Sequence, residues 1–84
     1  MDNSINLKMQ YSPPTKDFSG GSAYLRLEDG EIKSAYQTSI IPKNLLGEEK
    51  GTLIFDFDNE GRLLGIEFMG AADLLPQSLL NTLE

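Results

Sequence analysis

The chain has 84 residues, a formal net charge of −6, and neither cysteine nor histidine. That composition excludes disulfide staples and thiolate metal sites, thiolate nucleophiles, and imidazole as a general base or metal ligand. One domain, residues 1–84, is expected; at this size it buries only roughly 60–65% of its unfolded surface, so its thin core would gain from oligomerising.

Ile5, Leu7, Met9 and Tyr11 alternate with Asn6, Lys8 and Gln10. This period of two predicts a first strand with one apolar face. Pro13-Pro14 ends it, because proline donates nothing to a ladder and restricts the residue before it. Thr15 to Ser22 reads as a loop closing on Gly20-Gly21. Ala23, Leu25 and Leu27 alternate with Tyr24, Arg26 and Glu28 as a second strand. Asp29-Gly30 then gives a hairpin signal, because Asp-Gly suits the positive φ angles of tight turns. Ile32 to Ile41 reads as a third strand whose sparse apolar positions (Ile32, Tyr36, Ile40) suggest an exposed or edge location. Pro42 closes it. Lys43 to Gly51 is a polar connection around Leu45-Leu46 with room for one helical turn.

Strands four and five follow as Thr52 to Phe57 and Arg62 to Phe68. Ala71 to Glu84 has helical character, with Leu75, Leu79 and Leu83 at spacing four and Leu80 beside them. Pro76 divides it into a short turn at Ala71–Leu74 and a helix starting at the proline. The expected fold is α+β: an antiparallel hairpin meander of about five strands with one C-terminal helix.

Between strands four and five lies a near-match to a calcium loop. Asp56, Asp58, Glu60, Gly61 and Glu67 fall at the spacing of D-x-[DN]-x-[DN]-G with its later Glu. Glu60 stands where Asp or Asn belongs, and a calcium loop of this kind needs flanking helices. Thr52-Leu53-Ile54-Phe55 is β-branched and aromatic instead. The better reading is a structural turn in which Asp58 bonds nearby amides and Gly61 takes a positive φ. A three-residue loop then opposes Asp58 with Arg62, Phe57 with Leu63, Phe55 with Gly65 and Ile54 with Ile66. In that register Asp56 and Glu67 lie on opposite faces. One face carries Leu53, Phe55, Phe57 and Leu63; the other carries Ile54, Leu64, Ile66 and Phe68. With both faces apolar, the second needs cover from sheet curvature, the Leu45-Leu46 connection or another chain. Ile54, Leu64, Ile66 and Phe68, together with the helix residues Leu79, Leu80 and Leu83, are the expected interface with a second copy or a protein partner.

Other classes find little support in the residues. The seven basic residues are scattered, which argues against nucleic acid and against an anionic membrane surface. No apolar run approaches the roughly 20 residues of a membrane span, and Met1-Asp2-Asn3-Ser4 lacks the basic and apolar regions of a signal peptide. A cytoplasmic location is expected. Asp56 and Glu28 are the candidates for carboxylate-pair chemistry, but their strand positions read as solvated or edge-facing side chains. Gly20-Gly21 lacks the Lys-Ser/Thr and helix of a phosphate cradle. Tyr11, Tyr24 and Tyr36 read as strand packing. No catalytic residue, metal ligand or cofactor is expected.

Tyr11-Ser12-Pro13 ahead of Ser22-Ala23-Tyr24-Leu25-Arg26-Leu27 resembles the Y-D-x…D-x-L-Y-I-x-L opening of a small bacterial family known as domain of unknown function 2283. Phe55 to Phe68 is similar to that family's V-D-x-D-x-x-G-x-[VIL]-[VIL]-G-[IL]-E-[IL] signature, and Gly70-Ala71-Ala72 to its x-A-S approach to a terminal helix. The chain departs from the pattern in a longer first loop, Thr15 to Gly21, and an insertion, Lys43 to Gly51. The resemblance implies a β-rich domain with a helix and carries no catalytic residues. It leaves three functional expectations: a non-catalytic interaction and oligomerisation module, an antitoxin-like regulator binding a basic protein, and a metal- or small-ligand-binding domain using the acids from Asp56 to Glu60.

Overall fold

The computed structural model describes residues 7–83. Ile5 and Asn6 of the expected first strand lie outside them. Five strands form one antiparallel sheet: β1 (Lys8–Ser12), β2 (Ser22–Arg26), β3 (Tyr36–Ile40), β4 (Thr52–Phe57) and β5 (Leu63–Met69). Two short helices follow, α1 (Ala71–Leu74) and α2 (Gln77–Leu83). They are separated at Leu75-Pro76, where the proline sets a new start. This is the expected α+β class, with the helix divided as the sequence implies.

The strand order is β1-β2-β5-β4-β3. β2 and β3 are therefore not neighbours, and the expected Asp29-Gly30 hairpin between them does not form. The chain from Leu27 to Ala35 instead crosses the turn end of the β4–β5 hairpin. It is pinned there by the Leu27 amide on the Leu64 carbonyl (2.9 Å) and the Ala35 amide on the Phe57 carbonyl (2.8 Å). The local turn signal is used within the crossing, where the Arg26 guanidinium donates to the Gly30 carbonyl. The crossing also shortens the expected Ile32–Ile41 strand to five residues.

The β4–β5 register departs from expectation after its first pair. Phe57 opposes Leu63 as predicted, but the next pairs are Asp56–Gly65, Phe55–Ile66, Ile54–Glu67 and Leu53–Phe68. Leu64 is an extra residue on β5, a bulge that moves the remaining pairs by one. Because side chains alternate, a one-residue slip exchanges faces. Leu53, Phe55, Ile66 and Phe68 now share one face with Met9, Tyr11, Ala23 and Leu25. Ile54, Asp56, Gly65 and Glu67 share the other with Gln10, Tyr24, Arg26 and Gln37. Two expectations are thereby corrected. The sheet is not apolar on both sides, and Asp56 and Glu67 do not lie on opposite faces. The bulge wins because it collects the large apolar side chains on one side, where they can be buried together.

The helices lie over the β1–β2 part of the apolar face. α2 packs nearest β1 and α1 nearest β2. In β1, Met9 and Tyr11 are half-buried while Lys8, Gln10 and Ser12 are exposed, which places the cover on the Met9–Tyr11 side. Gly20-Gly21 brings the first loop against the start of α1: the Gly21 carbonyl accepts from the Gly70 amide at 2.9 Å, and the Gly20 carbonyl from the Ala72 amide at 3.0 Å. Leu80 is the one large side chain fully buried among the described residues. At the other end of the sheet every residue of β3 is exposed. The Leu45-Leu46 connection gives no cover either. It is a tight hairpin tip in which the Asn44 carboxamide oxygen accepts from the Leu46 and Glu48 amides, and both leucines point into solvent. No helical turn forms there.

Candidate functional site

The turn after β4 is the one the sequence calls for. The Asp58 carboxylate accepts from the Glu60 amide (2.8 Å) and the Arg62 amide (2.9 Å). The Asp58 amide donates to the Arg62 carbonyl at 2.9 Å, and Gly61 has a φ of 78°. These amide bonds, above all the one from Arg62, hold the Asp58 carboxyl below its ordinary value. They leave Asp58 committed to the backbone. Among the described residues no three His, Cys, Asp or Glu side chains gather closely enough to hold a metal ion.

Sequence reasoning missed the centre of the polar face. Asp56, read as a solvated acid, is only 5% exposed. One carboxylate oxygen accepts from the Tyr24 hydroxyl at 2.7 Å and the other from the Gln37 side-chain amide at 2.6 Å. Tyr24 stands on β2 and Asp56 on β4, with β5 between them. The phenol crosses that strand because residue 65 is glycine: a Cβ there would lie 2.3 Å from the Tyr24 hydroxyl oxygen. Gln37 reaches in from β3. Three strands are thus tied through one buried carboxylate, across a fourth, and no buried side-chain polar atom among the described residues lacks a partner. Burial, then the hydrogen bond to Asp56 and its charge, push the Tyr24 phenol up to about 12. It keeps its proton at physiological pH and acts as a donor. The arrangement is a clamp: the carboxylate and both donors are spent on one another.

The expected interface residues do not form one surface. Leu64 and Leu80 are buried inside the chain, and Ile66 and Phe68 have moved to the face that the helices partly cover. Ile54 is half-buried on the polar face, Leu83 is half-buried on α2, and Leu79 is exposed. The open apolar surface lies at the opposite end of the sheet. Tyr36 stacks on Phe57 with ring centroids 5.1 Å apart and planes at 11°. Tyr36 is 49% exposed and Ile40 50%. Leu53, Phe55 and Phe57 beside them are only half-buried. A sequence signal for this surface exists: Ser34 to Pro42 contains no charged residue.

Sheet, helix pair and clamp define a small α+β domain built around a tyrosine–aspartate tie across an antiparallel sheet. The chain belongs to the family described as Protein of unknown function (DUF2283), whose model matches residues 21–71. The match runs from the start of β2 to the first residue of α1 and includes Tyr24, Gln37, Asp56, the Asp58 turn and Gly65. No curated protein matches the chain, and no solved structure does. No helix among the described residues is long and apolar enough to cross a membrane.

Proposed function

We propose that this chain is a non-catalytic protein-interaction and oligomerisation module that works through the open half of its apolar sheet face. The observation that carries the reading is the incomplete burial of Tyr36, Ile40, Leu53, Phe55 and Phe57 at the end of the sheet away from the helices. A contiguous apolar surface of this kind marks a site of association, and a domain this small gains stability by oligomerising. The clamp supports the same reading from the other face. Its carboxylate and its phenol and amide donors are spent on one another, so they tie the strands together and are not free for chemistry. The test is light scattering on the wild-type chain over the micromolar range. A mass above that of the monomer, rising with concentration, supports the proposal. A monomer mass throughout removes self-association from it.

A further inference from the structure

Two edges bound the sheet, and they differ in kind. β1 carries Lys8 and runs directly into Pro13-Pro14, with α2 packed nearest to it. Lysine, proline and a covering helix are the devices by which sheets block pairing with another chain. β3 has none of them. Among the described residues its only partner strand is β4, all five residues are exposed, and the nine residues from Ser34 to Pro42 carry neither charge nor an interior proline.

We infer that β3 is the seam at which a second copy adds, antiparallel, to make one continuous ten-stranded sheet. The inference rests on the reading that the chain self-associates, and it names the contact. Two identical strands related by a two-fold axis pair residue i with residue j and j with i. An axis at Thr38, the middle of β3, pairs all five residues. Tyr36 then opposes the second copy's Ile40, Thr38 opposes Thr38, and Gln37 opposes Ser39. On the apolar face this gives aromatic–β-branched and Thr–Thr pairs, both favourable across antiparallel strands. The polar face receives amide against hydroxyl. The same axis keeps the two apolar faces on one side, so Phe57 and Phe55 of each copy extend one shared surface. Charge agrees with this choice of occupant: copies that each carry −6 meet along a strand to which neither contributes a charge.

The experiment combines mass with amide hydrogen exchange on the full chain. Wild type should reach twice the monomer mass at micromolar concentration. The β3 amides that face away from β4, every second one along the strand, should gain protection as concentration rises, because that edge is then bonded too. Thr38→Lys sets like charges directly opposite each other and should return the mass to that of the monomer with an unchanged circular dichroism spectrum. Thr38→Val should stay dimeric. A wild-type dimer in which the outward-facing β3 amides exchange as fast as in the monomer overturns the seam, and so does a dimer that survives Thr38→Lys; the association reading would stand in either case. A wild-type chain that is monomeric throughout overturns both. The exchange measurement on wild type decides the matter even where Thr38→Lys fails to fold.

Discussion

Gly65→Ala is the most searching single substitution in this fold, because one methyl group strikes the clamp. A Cβ at residue 65 would stand 2.3 Å from the Tyr24 hydroxyl oxygen, 2.6 Å from Cζ and 2.7 Å from Cε1. The ring must swing off β5, and it cannot do so without releasing Asp56, which is 5% exposed and keeps only the Gln37 donor. Losing a hydrogen bond to a buried charged group costs about 1.5–3 kcal/mol, and overpacking adds roughly 1–3 kcal/mol. The combined loss is about 2.5–6 kcal/mol in a domain whose whole stability is of order 5–15 kcal/mol. At about 4–8 °C per kcal/mol for a chain of this length, Tm should fall by at least about 10 °C. Urea unfolding followed by circular dichroism measures the change. The substitution is then repeated in a Tyr24→Ala background, where no ring remains to be displaced. There Gly65→Ala should be neutral or stabilising by roughly 0.5–1 kcal/mol, since alanine is the better strand-interior residue. An isolated Gly65→Ala within about 0.5 kcal/mol of wild type, or equal losses in both backgrounds, would refute the clamp.

Asp58→Ala should lower Tm by loosening the β4–β5 turn, and the gap from wild type should close in acid. The Asp58 carboxyl is held below its ordinary value, so its contribution is full above that ordinary value and is lost as pH falls through the folded one. Melting curves from neutral to acid pH check this; a gap independent of pH would contradict it. Leu80→Ala empties the one fully buried large side chain and should cost about 2–5 kcal/mol. Leu79→Ser, on the exposed side of α2, should stay within about 0.5 kcal/mol of wild type in the same urea assay.

The elements that local pattern controls were legible in the sequence. Period-two alternation marks β1 and β2, β-branched and aromatic residues around the turn mark β4 and β5, the Asp58–Gly61 pair marks the turn, and Pro76 marks the break between α1 and α2. What escaped depends on contacts distant in sequence. Asp29-Gly30 carries a strong hairpin signal, but β2 finds its second neighbour in β5, about forty positions along the chain. The Leu64 bulge is one residue in a run of apolar side chains, and alternation reads equally well with or without it. Only the need to gather Leu53, Phe55, Ile66 and Phe68 on one face decides between the two registers. Asp56 looked like a solvated acid because its partners stand on two other strands, one of them beyond β5. Tyr24 supplies a hydroxyl from β2, Gln37 an amide from β3, and Gly65 on β5 leaves the space between. The candidate interface moved with the register: the slip that made the polar face a clamp also gathered the apolar side chains on the other face, part of which the helices leave uncovered.

The central claim is that association buries the Tyr36–Ile40 surface of β3. Hydroxyl-radical footprinting of wild type at low and high concentration reads that surface directly. Oxidation of Tyr36 should fall as concentration rises, while Phe18, 57% exposed in the first loop, stays equally reactive. Reactivity of Tyr36 that does not change with concentration would contradict the account.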